Sequence, residues 1–433
     1  MFSNKMIAGI LIPVVLEQLL NSIMGTADTM MVSNIGSAAI SAVSLVDSIN
    51  ILVIQAFSAL AAGGAIVCSQ YIGQQNKKMA NESARQVLFI ITAISIAVSV
   101  LCLGFKKPLL RLIFGSVEAD VMRASETYFF YTAISFPFIA AYDSAASIFR
   151  AQENTKGPML ISMISNAMNI VGNAIMIWIF HMGVAGVAYA TIISQILSAV
   201  MVIVYMMKSK DCVRFVPKKM RIHGDKLKKM LYIGLPAGFQ GTVFSLSNVV
   251  IQSAVNSFGS LVMAGNGAAS SLEGFTYTAM NSVYQASLTF VGQNVGAKKY
   301  DRINKVQGVC LVLVTIIGLV FGVTTYCLGE PLLSIYLPND PEAIPYGIIR
   351  MSYIALPYFL CGMMEVMVGG QRGMGMSFIP MINALLGSCV LRIVWISTVF
   401  AADPTLFTLY ISYPISWIVT TLAHAVFYFI KLH

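Results

Sequence analysis

Asp28 lies in the run Gly25-Thr-Ala-Asp-Thr-Met-Met-Val-Ser-Asn-Ile-Gly36, at the end of a long apolar stretch. An ionised side chain in hydrocarbon costs roughly 2.5–3.5 kcal/mol on insertion scales, so this acid needs partners, water or a function. Other charged groups within apolar segments raise the same question: Asp47, Glu273, Glu365 and Arg392. An acid among amides and hydroxyls can bind and release a proton or a small cation. Burial favours the neutral acid and a bound cation favours the carboxylate, so the two compete at one group. Other chemistries find little material. The four histidines, His181, His223, His424 and His433, lie in loops or near span ends, in no zinc motif and no Ser/His/Asp set. The stretch Gly292-Gln-Asn-Val-Gly-Ala-Lys-Lys spaces its glycines too closely for a phosphate-binding loop and lacks the following Ser or Thr.

The elements that would position these groups are membrane helices. Of 433 residues, 57% are hydrophobic and 10% charged, with a mean hydropathy of +0.78. Soluble domains carry about 25% charged residues. The apolar residues fall in blocks of 20 or more separated by short polar stretches, the signature of transmembrane helices and not of an outer-membrane barrel. The expectation is an all-α polytopic membrane protein with twelve transmembrane helices, the first over 6–33 and the last over 404–430. The apolar N-terminus runs past Asp28 with no small-residue cleavage site, so it reads as a retained helix. The net charge of +9 sits in alternate loops, which argues for topology and against a nucleic-acid partner. The Lys and Arg count places both termini and the 208–229 loop in the cytoplasm. Arg350 counts among the few basic residues on the opposite side. The seven cysteines form no metal spacing or disulfide framework.

That basic loop divides the chain into an N-terminal lobe (1–207), a linker (208–229) and a C-terminal lobe (230–433), six spans on each side. The halves repeat. Leu235-Pro236 matches Ile12-Pro13 and Gly259 matches Gly36, both at an offset of 223 residues. Phe290-Val-Gly-Gln293 matches Tyr71-Ile-Gly-Gln74 at 219, Pro331-Leu-Leu matches Pro108-Leu-Leu at 223, and Arg372 and Pro380 match Arg150 and Pro158 at 222. An even number of spans per half makes the repeat parallel, which predicts two pseudo-symmetric six-helix bundles able to rock about a shared cavity.

Taken together, Asp28-Thr-Met-Met-Val-Ser-Asn-Ile-Gly36, Ser69-Gln-Tyr-Ile-Gly-Gln74, Phe149-Arg-Ala-Gln-Glu-Asn-Thr-Lys-Gly-Pro158, Gly183-Val-Ala-Gly-Val-Ala-Tyr-Ala-Thr-Ile-Ile-Ser-Gln195 and Gly234-Leu-Pro236 resemble the multidrug and toxic compound extrusion (MATE) family, in its bacterial branches. The resemblance covers nearly the whole chain. It implies a twelve-helix exporter that expels organic cations against inward flow of protons or sodium. It further implies that Asp28, Asn169, Asn173 and Thr191 form an ion-coupling site, with a monovalent cation at Asp28. Some relatives have Asp where this chain has Asn173, so here one carboxylate must serve. The seventh-helix Glu of some branches has no counterpart in Ala237–Ser247.

The other acids have competing readings. Glu17, after Pro13, would snorkel or bond backbone freed by the proline. Asp47 would line an outer vestibule or be solvated. Asp143 and Glu365 each precede a cytoplasmic Arg by seven residues, two helical turns or roughly 10 Å, too far for a direct pair. Asp143 reads as a packing contact, Glu365 and Glu273 as candidates for a second-lobe substrate site. Arg392 would pair with Glu365 or Glu273, or attract an anionic part of a substrate. The 26 Met and 24 Phe suit adaptable recognition of amphipathic cations, although most must serve packing and lipid contact. The expected protein is therefore a monomeric multidrug antiporter in a bacterial inner membrane, with no cofactor beyond H+ or Na+. Its rivals are a flippase for a lipid-linked precursor or metabolite, which calls for a basic cavity, and an intramembrane enzyme or receptor, for which no constellation is present.

Overall fold

The structure is a computed structural model describing residues 4–33, 37–115, 118–209, 222–338 and 340–432. These residues are helical throughout, with no strand among them. The chain separates into two compact units, Met1–Gly238 and Phe239–His433, divided within one long helix.

The first unit holds α1 (Asn4–Ser33), α2 (Ser37–Gly73), α3 (Lys77–Gly104), the short α4 (Lys106–Phe114), α5 (Ala119–Ala151), α6 (Lys156–Ala174, continued by a π turn over Ile175–Ile179), α7 (Gly183–Lys208) and the start of α8 (Gly224–Asn256). The second unit holds the rest of α8, α9 (Ser260–Gly296), α10 (Tyr300–Cys327), α11 (Gly329–Tyr336), α12 (Ile344–Tyr353), α13 (Phe359–Gly373), α14 (Phe378–Ala384), α15 (Leu391–Trp395), α16 (Leu406–Tyr410) and α17 (Ser412–Leu432). Joined across short irregular turns, these make twelve long helical passages among the described residues, six ahead of α8 and six from α8 onward. Eight of them are long and apolar enough to cross a membrane by composition; α5, α8 and α9 are long helices of lower hydropathy.

The repeat extends to the backbone. At an offset of 223, α2 maps onto α9 and α3 onto α10 at both ends, which sets Tyr71–Gln74 against Asn294–Ala297 and corrects the match to Phe290–Gln293 at 219. The left-handed residues of the tight turns also recur: Gln75 (φ 57°) answers Lys298 (φ 58°), and Glu153 (φ 67°) answers Gly375 (φ 86°). The second copy departs in two places. Pro357 can donate no backbone hydrogen bond, and the helix corresponding to α5 is broken there into α12, a 3₁₀ turn over Leu356–Tyr358, and α13. A π turn over Leu385–Val390, absent from α6, inserts one residue and moves the offset from 222 at Pro380 to 223 at Arg392.

Helices in lipid are held by close packing and polar contacts, not by expulsion of water. In the first unit Phe57, Phe129, Phe136 and Phe149 are buried in one core cluster shared by α2, α3, α5 and α7, with Phe57 edge-on to Phe136 at 6.2 Å. Gly63 of α2 and Gly234 of α8 allow backbone contact: a Cβ at Gly63 would stand 2.8 Å from Gly234 N and Met230 O. Near the start of α8, Lys226 donates to Glu82 of α3 at 2.8 Å. In the second unit Tyr410, Trp417, Cys361 and Met364 form the packed centre.

Candidate functional site

The first unit carries two buried polar clusters. In one, Asn169 and Asn173 of α6 face α7. Asn169 Nδ2 donates to Thr191 Oγ1 at 3.2 Å and lies 3.5 Å from Ser194 Oγ, while Asn173 Nδ2 donates to Asn169 Oδ1 at 3.2 Å. Both asparagines are fully buried. Thr191 in turn donates to the Val187 carbonyl at 3.0 Å, so its lone pairs are the part aimed at the amide. Three of the four residues expected at a coupling site therefore form one hydrogen-bonded group. The side chain of the fourth, Asp28, lies outside the described residues; its backbone belongs to α1.

The second cluster is centred on Glu17, which is 2% exposed. The Tyr142 hydroxyl stands 2.8 Å from Glu17 Oε1 and 3.0 Å from the Pro158 carbonyl, and Arg150 Nη2 is 3.5 Å from the same carboxylate oxygen. Glu17 thus neither snorkels nor repairs backbone at Pro13: it is a buried counter-ion. Asp143 has no direct pair with Arg150 and accepts from Ser58 at 2.6 Å. One further turn along α1, Asn21 Oδ1 accepts from Ser162 at 2.9 Å and from Asn166 at 2.8 Å. Contacts that climb from Glu17 near Pro158 to Asn21 at Ser162 and Asn166 show α1 and α6 running parallel. On α2, Asp47 is half-buried and accepts from Asn50 at 3.2 Å and Tyr128 at 3.4 Å.

The second unit is built on arginine. Arg350, which the loop-charge count takes for a flanking residue, is buried on α12 and clasps Glu273 of α9 through Nε at 3.1 Å and Nη2 at 2.7 Å. Its Nη1 donates to Asn266 at 2.7 Å, and Tyr410 donates to the same oxygen at 3.2 Å. The repeat carried a signal for this pair: Glu273 and Arg350 correspond to Asn50 and Tyr128, the two residues that hold Asp47.

Arg392 corrects an expectation. It pairs with neither Glu273, whose two oxygens belong to Arg350, nor Glu365. Its Nε donates to Ser416 at 2.8 Å, and its guanidinium lies 4.3 Å from the Tyr413 ring centroid and 5.7 Å from that of Trp417. Glu365, half-buried on α13, makes no hydrogen bond or ion pair among the described residues; Tyr277 and Arg372 are its electrostatic neighbours. Arg372 donates to Tyr284 and to Gln240, each at 2.8 Å. His424, expected near a span end, is wholly buried on α17, with Nδ1 3.0 Å from Gln371 Oε1.

Repeated helical bundles with buried polar clusters among apolar spans define a class, the polytopic membrane transporter. The comparisons give the family. The MatE family model matches residues 13–175 and matches again over 236–397, once on each half of the repeat. The chain belongs to the MatE family. It is similar to the probable multidrug resistance protein YoeA of Bacillus subtilis, 26% identical over 384 residues, covering 87% of this chain and 82% of that protein. It is also 24% identical over 400 residues to the probable multidrug resistance protein NorM of Thermotoga maritima, covering 90% and 84%. Among solved structures, a MOP superfamily transporter from Pyrococcus furiosus shares the fold with a TM-score of 0.93 at 17% identity, covering 99% of this chain and 95% of that one. As a member of this family the chain is a multi-pass membrane transporter, not an enzyme.

Proposed function

We propose that the chain is a secondary multidrug exporter that expels amphipathic organic cations in exchange for protons or sodium, working by alternating access as a monomer in a bacterial cytoplasmic membrane. Both termini and the basic 208–229 loop face the cytoplasm in this reading, and the loop joins lobes 1–207 and 230–433. Residues 210–221 of that loop lie outside the described residues. The multidrug relatives support the substrate class.

The observation that carries the coupling role is the register between α1 and α6. Asn21 meets Ser162 and Asn166, 141 and 145 residues on. Two turns further along parallel helices, the same differences pair position 28 with 169 and 173. Asp28 would then complete the group of Asn169, Asn173 and Thr191 as its one exchangeable charge. Protonation or cation binding from outside neutralises it and lets α1 bend, with Pro13 inside that helix as the weak point. Loss of the ion inside resets it. Everted vesicles given a fluorescent cation in the medium test this by its uptake, with pH and sodium gradients imposed separately. Asp28→Asn is expected to insert normally and lose gradient-driven transport; undiminished transport overturns the coupling role.

A further inference from the structure

The two units answer the same position with opposite chemistry. Ser194 of α7 corresponds to Ser416 of α17 at an offset of 222, and Thr191 to Tyr413. Burial along the two helices follows the same offset: Val187, Ala188, Ala190, Ser194, Val202 and Met206 are buried, as are their counterparts from Leu409 to Tyr428. On the neighbouring helix, the extra residue of the π turn brings Arg392 to the place of Asn169. The contact itself is kept. Asn169 Nδ2 lies 3.5 Å from Ser194 Oγ, and Arg392 Nε donates to Ser416 Oγ at 2.8 Å. Where α1 carries Asp28, α8 carries Ile251 at an offset of 223, and Ile251 is buried in the apolar cluster of Trp417 and Tyr410. The acid has gone and a cation has come.

That cation has no counter-ion among the described residues. Arg392 is 3% exposed, and its buried Nη2 has no hydrogen-bond partner there. Neither of the second unit's two interior acids, Glu273 and Glu365, pairs with Arg392 among the described residues. Glu273 is held bidentately by Arg350, and Arg372 is the cation near Glu365. Helix α17 contributes no acid over Ser412–Leu432, and the groups facing Arg392 are tyrosines, cysteines, a serine and a tryptophan. Tyr413 is shared, since the Arg350 guanidinium also lies 5.6 Å from its ring centroid. Two guanidinium groups therefore approach one ring, and Glu273 is bonded to Arg350 alone. A buried charge without a partner is costly, and a guanidinium's planar fork suits a carboxylate.

We propose that Arg392, with Ser416 and Tyr413, is a binding site for the carboxylate of a transported compound, so that zwitterionic substrates are held by their anionic end in the second unit. This rests on the exporter reading above and adds to it the residues that would hold a substrate's anionic end.

Binding can be read without transport, because the Trp417 ring lies beside Arg392. In purified full-length protein carrying Trp178→Phe and Trp395→Phe, Trp417 is the one remaining tryptophan. Sodium hexanoate is expected to change its emission saturably, while hexanol and sodium chloride are not. Arg392→Gln should weaken hexanoate binding by about tenfold or more, the loss of a charge-assisted bond, and Arg392→Lys, which keeps the charge but not the fork, should weaken it less. In vesicles, Arg392→Gln should lower extrusion of the zwitterion rhodamine B more than that of the cationic ester rhodamine 6G. Equal titration of parent and Gln variant, an equal response to hexanol, or saturation by chloride but not hexanoate overturns the proposal. If the Gln variant fails to fold, the Lys variant and the hexanoate–hexanol contrast decide. An absence of cation transport by the parent would sink the exporter reading and leave the titration standing.

Discussion

Gln240 accepts a 2.8 Å hydrogen bond from Arg372, and Glu17, its counterpart 223 residues earlier, stands 3.5 Å from Arg150. One repeated contact has thus become an ion pair in the first unit and an amide contact in the second. Glu17→Gln makes the two alike and keeps an acceptor for Tyr142 and Arg150. Glu17→Ala leaves a buried guanidinium without its partner, a loss of about 3–5 kcal/mol. Thermal unfolding of the purified protein should rank the parent above Gln and Gln well above Ala; an Ala variant as stable as the parent would contradict the pairing.

Glu273 and Arg350 should be coupled strongly enough to see in a double-mutant cycle. Either Glu273→Ala or Arg350→Ala alone should cost about 3–5 kcal/mol, and the pair together much less than the sum. Additive losses of melting temperature would mean that the bidentate contact contributes nothing.

Thr191→Val removes the hydroxyl that Asn169 donates to while keeping the shape. Hydrogen bonds between membrane helices average about 0.6 kcal/mol, so the melting temperature should hardly move. Transport driven by an ion gradient should fall several-fold if the cluster serves coupling. Unchanged transport would reduce the cluster to a packing contact.

Gly63→Leu should disrupt the first unit, because the backbone of α8 leaves no room beside α2. Overpacking of this kind costs about 1–3 kcal/mol, and Gly267→Leu, where a Cβ meets nothing within 4 Å, provides the control. Equal stability of the two variants would show that the close approach is dispensable.

Helix number and the repeat were legible because both depend on long apolar runs and on prolines and glycines that keep their spacing. The cluster at Asn169 was legible through helical spacing together with family likeness. The buried ion pairs were not. Arg350 follows soon after Asp340, Pro341 and Glu342, close to the start of a span, and there a basic residue reads as a flanking charge. Its true partner is 77 residues away on another helix, a distance no local pattern spans. The acid partner expected for Arg392 was wrong for the converse reason. The acids expected to pair with it exist, but partner choice among interior charges depends on side-chain reach across packed helices, and Arg350 is the residue that reaches Glu273.

The π turn at Leu385–Val390 bears on how the two halves came to differ. It is what one codon more in the second half looks like once folded. A helix that absorbs an extra residue as a bulge lets everything downstream keep its face, so insertion and substitution can be tried separately in the course of descent. Asparagine in one copy and arginine in the other, both still in contact with the matching serine, are the outcome: two repeats that kept one scaffold while one of them took on a charge.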